Sequence, residues 1–88
     1  GDYHATVANL DWNVGRMLEA LDKSGQLDNT LVIFTADHGR TWIDRPGSAE
    51  AIAMSYEEVS RVPLIVRYPR LFAPGKRWNA GVTTADLM

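Results

Sequence analysis

The chain has 88 residues, nine basic and eleven acidic side chains, a formal charge of −2 and no cysteine. Such a length makes at most one small domain, and the lack of cysteine removes disulfides, thiolate zinc sites and a cysteine nucleophile from these residues. No basic run interleaved with aromatics offers a nucleic-acid surface, and no apolar stretch approaches the about 18 residues of a membrane span.

Apolar residues fall first at Val7, Leu10, Val14, Met17, Leu18 and Leu21. These steps of three and four line one face of an α-helix over residues 3–23. Asp11, Asn13, Arg16, Glu19 and Lys23 take the other sides. Fully burying each larger apolar side chain is worth about 1.5–3 kcal/mol, so this face expects a sheet to rest on. Ser24 and Gly25 end the helix, because glycine takes the left-handed conformation without strain. Asp28 and Asn29 then turn the chain.

Residues 30–35, "TLVIFT", are β-rich and almost continuously apolar, which predicts a strand covered on both faces. Residues 40–48 read as loop, and residues 49–59 can form about three helical turns with Ser48 as cap. Near the end of that helix Glu57, Glu58 and Arg61 form a charge group at helical spacing; alternatively Arg61 is buried and holds Glu57 against the strand. A second strand covers residues 62–67, with Pro63 near its start because proline has no amide to donate. Strand, helix-bearing crossover and strand make a βαβ unit, so the expected architecture is α/β, a parallel sheet flanked by helices. After a loop containing Pro74 and Gly75, Thr83 opens a further helix as N-cap, with Asp86 accepting from the cap's own amide. That helix stops at Met88 and Gly1 is no initiator, so the chain is expected to be a piece of a longer protein, truncated at both ends.

The first strand delivers "DHG" to its carboxyl end. Ligands collect there in parallel α/β sheets. Asp37 and His38 are a carboxylate and an imidazole that can reach one cation if the turn splays them suitably, and Gly39 lets the backbone turn sharply. The alternative is a solvated turn, with Asp37 capping local amides and His38 exposed. Position alone leaves both readings open.

Four segments, "ANLDWNVGRMLEALDKSG", "DNTLVIFTADHG", "YEEVSRVPLIVRYP" and "VTTADL", together resemble the sulfatase family of the alkaline phosphatase superfamily, in the family's order and near its spacing. The resemblance runs over essentially residues 1–88 and implies part of a sulfatase catalytic domain. It implies a parent enzyme that hydrolyses sulfate esters, completed by the remainder of the catalytic domain. It makes Asp37 and His38 ligands of a divalent metal, Ca2+ by family habit, with Mn2+ suggested by the nitrogen ligand. In the family that metal polarises the sulfate oxygens and holds a formylglycine hydrate, made from a Cys or Ser in a C/S-x-P-x-R motif. Extracellular, periplasmic and lysosomal locations all fit the resemblance.

Several family features are missing. The chain has no C/S-x-P-x-R and no earlier aspartate pair, and two side chains are few for calcium, which takes about 6–8 oxygen ligands. No lysine stands near Ile52, where the family places one on the sulfate; none occurs between Lys23 and Lys76. Arg40 follows the DHG where an acidic residue is common, and Arg45 is the charge that can substitute from the same loop. Trp42 is a candidate pocket floor or core residue. His4 is given no role, and Asp11 a structural one, bonding a neighbouring loop or Arg16. A phosphodiesterase or phosphonate monoester hydrolase of the same superfamily, and a non-catalytic α/β module, are the alternatives.

Overall fold

A computed structural model of the chain describes residues 2–39 and 57–87. The chain divides into two units, Gly1–Leu31 with Tyr68–Pro74 and Val32–Arg67 with Gly75–Met88.

In the first unit helix α1 spans Asp2–Lys23, as the apolar spacing predicts. Of its apolar stripe, Val14, Leu18 and Leu21 are half-buried, whereas Val7, Leu10 and Met17 stay exposed. The polar side carries a Lys23–Glu19 ion pair at 3.0 Å, one turn apart. Arg16 does not reach for Asp11; its guanidinium lies 4.8 Å from the centroid of the Trp12 ring, a cation–π contact. His4 meets Tyr3 edge-on.

The helix ends as the Ser24-Gly25 signal requires. Gly25 has φ +74°; its N–H donates to Asp22 O and the Gln26 N–H donates to Leu21 O, both at 3.0 Å. This paired closure satisfies carbonyls that the terminating helix leaves open, and it needs a left-handed residue at position 25. A 3₁₀ turn over Leu27–Asn29 follows, with the Thr30 hydroxyl donating to Gln26 O at 2.7 Å.

In the second unit strand β1 covers Val32–Thr35, helix α2 covers Glu57–Ser60 and strand β2 covers Leu64–Arg67. The two strands pair antiparallel, with Val32 opposite Arg67, Ile33 opposite Val66, Phe34 opposite Ile65 and Thr35 opposite Leu64. The parallel pairing expected for these two strands is therefore corrected. Continuous apolarity reports how deeply a strand is to be buried, not which way its neighbour runs. The connection between the strands is also long enough to return the chain in either direction. Burial differs as well: Ile33 and Ile65 are exposed, and β1 alternates half-buried and exposed. Both strands start two residues later than the sequence pattern suggests, so Pro63 precedes β2 and no ladder bond is asked of it.

Among the described residues the one buried apolar side chain is Val59, 5% exposed. It lies in α2, whose Glu57 and Arg61 side chains pair at 3.2 Å while remaining largely exposed. The alternative of a buried Arg61 is thereby set aside. Near the chain end a 3₁₀ helix spans Thr84–Leu87, and the Thr83 N–H donates to Asp86 Oδ2 at 2.7 Å, the cap bond read from the sequence. The predicted loop over residues 40–48 and most of the predicted helix over residues 49–59, including its Ser48 cap, lie outside the described residues. No helix among the described residues is long and apolar enough to cross a membrane.

Candidate functional site

Strand β1 ends at Thr35, and within two residues the chain bends at Asp37. The bend is held by the side chains it presents. Asp37 Oδ1 accepts the His38 backbone N–H at 2.9 Å. His38 Nδ1 stands 2.7 Å from the Gly39 carbonyl oxygen. Each side chain thus commits one polar atom to the local backbone. The remaining two, Asp37 Oδ2 and His38 Nε2, face each other at 3.6 Å.

The third residue of the turn is fixed from elsewhere in the same unit. The Gly39 N–H donates to the Val59 carbonyl at 2.6 Å, so the turn is tied to α2 at its buried Val59. This contact runs between two backbone groups. Sequence reading has no signal for it, because neither residue type is required by the bond.

The site is open to solvent: the Asp37 side chain is 88% exposed and that of His38 is 44% exposed. Both sequence-predicted residues therefore stand at one accessible corner with their uncommitted atoms converging. Two donors on a common cation at about 2.3–2.6 Å can stand no more than about 5 Å apart, and the observed separation is inside that limit. The donor set, one hard carboxylate oxygen and one imidazole nitrogen, suits a divalent cation of hard to borderline character. The same two atoms make an ion pair when the ring is protonated. The solvated-turn alternative is met on both counts as well, since Asp37 caps a local amide and His38 is exposed. No third His, Cys, Asp or Glu joins the pair among the described residues. Arg40, Trp42, Arg45 and Ile52 lie outside the described residues.

The sulfatase family profile matches residues 1–88. The chain is 40% identical to an N-acetylglucosamine-6-O-sulfatase of Bacteroides thetaiotaomicron over 84 residues, covering 90% of this chain and 14% of that protein. It is 38% identical to steryl-sulfatase of Mus musculus over 87 residues, covering 86% of this chain and 14% of the relative. Arylsulfatase K of Xenopus laevis is 35% identical over 86 residues, covering 97% of this chain and 15% of the relative. The chain thus spans about one-seventh of the length of these curated relatives. No solved structure matches the chain significantly.

Proposed function

The chain belongs to the sulfatase family, with its alkaline phosphatase-like α/β fold, and from that premise we propose that its parent protein is a sulfate-ester hydrolase in which Asp37 and His38 supply part of a divalent-metal site. The observation that carries this reading is the coincidence of the family match with the turn itself. The two residues that the family's motif picks out are the two whose free donor atoms converge at 3.6 Å.

In this reading Asp37 Oδ2 and His38 Nε2 hold Ca2+ or Mn2+, and the remaining ligands and the nucleophile come from other parts of the parent. A bound cation there supplies a positive charge that draws electron density from the sulfate oxygens. The work of this chain is to hold two donors at fixed separation on a turn that is itself bonded to backbone, so that little rearrangement accompanies loading. The exposed apolar residues of α1 and of the two strands meet the rest of the catalytic domain, whose α/β sheet takes in the antiparallel β1–β2 pair. The relatives support this reading, the Bacteroides protein being an N-acetylglucosamine-6-O-sulfatase and the mouse protein a steryl-sulfatase.

The test is hydrolysis by the parent protein of an aryl sulfate, run beside an aryl phosphodiester and an aryl phosphonate monoester. Turnover of the sulfate that is lost on Asp37→Ala supports the reading. Turnover of the phosphorus esters alone would transfer the protein to the phosphodiesterase or phosphonate hydrolase branch of the superfamily. No turnover of any of the three, with no metal bound, would leave a non-catalytic module.

A further inference from the structure

The direction in which His38 presents its free nitrogen is set by two peptide groups. A carbonyl oxygen can only accept, so the ring nitrogen 2.7 Å from Gly39 O is the one that carries the proton. In the neutral imidazole Nε2 then keeps its lone pair, and Nε2 is the atom that faces Asp37 Oδ2. The Gly39 peptide that makes this selection is itself held, through its N–H, by the carbonyl of Val59. Val59 is the buried apolar residue of α2, and the turn after it is closed by the Arg61 N–H donating to Glu57 O at 2.7 Å. Asp37 needs none of this, because its Oδ1 is fixed by the His38 N–H within the turn.

We propose that Val59 and Gly39 are positioning residues for His38: the buried valine fixes the α2 carbonyl, that carbonyl fixes the Gly39 peptide, and the Gly39 carbonyl selects the Nδ1–H tautomer, which presents Nε2 beside Asp37. The proposal rests on the metal reading of the site and adds to it the tautomer, the coordinating atom and the residue that sets both. Partners of this kind that orient a ligating histidine are commonly worth 10- to 100-fold in metal affinity.

The experiment uses the metal-free full-length parent protein carrying ¹⁵N-labelled histidine, and reads the neutral form of the ring. The two ring nitrogens are distinguished by their ¹⁵N shifts, with the His38 signals identified by their loss in His38→Asn. The expected result is the Nδ1–H tautomer. Val59→Ala, which removes the buried packing, is expected to give a mixture of tautomers and about tenfold weaker Mn2+ binding by calorimetry, while Val59→Ile restores both. An Nε2–H tautomer in the wild type overturns the proposal, and so does a Val59→Ala protein with wild-type tautomer and affinity. If Val59→Ala does not fold, Val59→Thr is judged by the same two readouts. The tautomer is read with no metal present. Failure of the metal reading, seen as Mn2+ binding that ignores Asp37→Ala, is therefore a separate result from failure of the positioning role.

Discussion

Asp37 Oδ2 and His38 Nε2 face each other at 3.6 Å while the other polar atom of each side chain is engaged with backbone. Adjacent residues on an extended chain point to opposite sides. The bend immediately after β1 is what allows neighbours to converge, and the bonds to the His38 N–H and the Gly39 carbonyl are what keep them so.

The nitrogen donor has a consequence for metal choice. Replacing His38 by Asn exchanges an imidazole nitrogen for an amide oxygen, a harder donor. In the parent protein we expect His38→Asn to weaken Mn2+ relative to Ca2+ by about tenfold. Competitive titration of the two ions checks it, and an unchanged Mn2+ to Ca2+ ratio would mean that His38 does not touch the ion.

Two glycines, one inside α1 and one just past its end, test the backbone argument with opposite signs. An added Cβ meets nothing within 4 Å at either Gly15 or Gly25, but Gly25 has φ +74° and Gly15 lies inside the helix. In a peptide of residues 2–26, Gly15→Ala is expected to favour the helix by about 0.5–1 kcal/mol, the usual glycine-to-alanine difference. Gly25→Ala forces an L-residue into the left-handed region and is expected to fray the last turn. Circular dichroism reads the first effect, and exchange of the Gln26 amide reads the second.

The Glu57–Arg61 pair is expected to matter little. Its side chains are 74% and 79% exposed, and one-turn ion pairs at a surface contribute a few tenths of a kcal/mol at most. Glu57→Gln in the parent should leave the thermal midpoint within about a degree and salt dependence unaltered. A larger drop would indicate that the pair is buried in the parent.

The isolated 88-residue chain carries two four-residue strands with Ile33, Leu64, Ile65 and Val66 exposed. A two-stranded ribbon of this kind is marginal in water. We therefore expect the amides of β1 and β2 to exchange nearly as fast as in an unfolded chain, and to slow by orders of magnitude in the parent. Strong protection in the isolated chain would show that the pairing needs no further surface.

What could be read from the sequence is what a single residue type or a local spacing enforces. The 3.6-residue rhythm from Val7 to Leu21 gives α1, Gly25 gives its end, and the Thr83 to Asp86 spacing gives the cap near the chain end. Asp37 and His38 stood out because two ionisable residues at the end of an apolar strand need a reason to be there. Strand direction could not be read, since "TLVIFT" and "VPLIVR" carry the same continuous apolarity whichever way they pair. Nor could the role of Val59, whose contact with Gly39 is made by a carbonyl that any residue would supply. The strands stand exposed in this chain because apolarity states how much surface a segment would cover, whereas the covering surface must come from other residues.

The central claim is that Asp37 and His38 grip a shared divalent ion, and calorimetric titration of Mn2+ and Ca2+ into the parent protein and its Asp37→Ala variant tests it most directly. Saturable binding of at least one ion by the parent, weakened by two orders of magnitude or more in Asp37→Ala, roughly the loss of one charged ligand, is the expected result. Equal binding by the two proteins would contradict it.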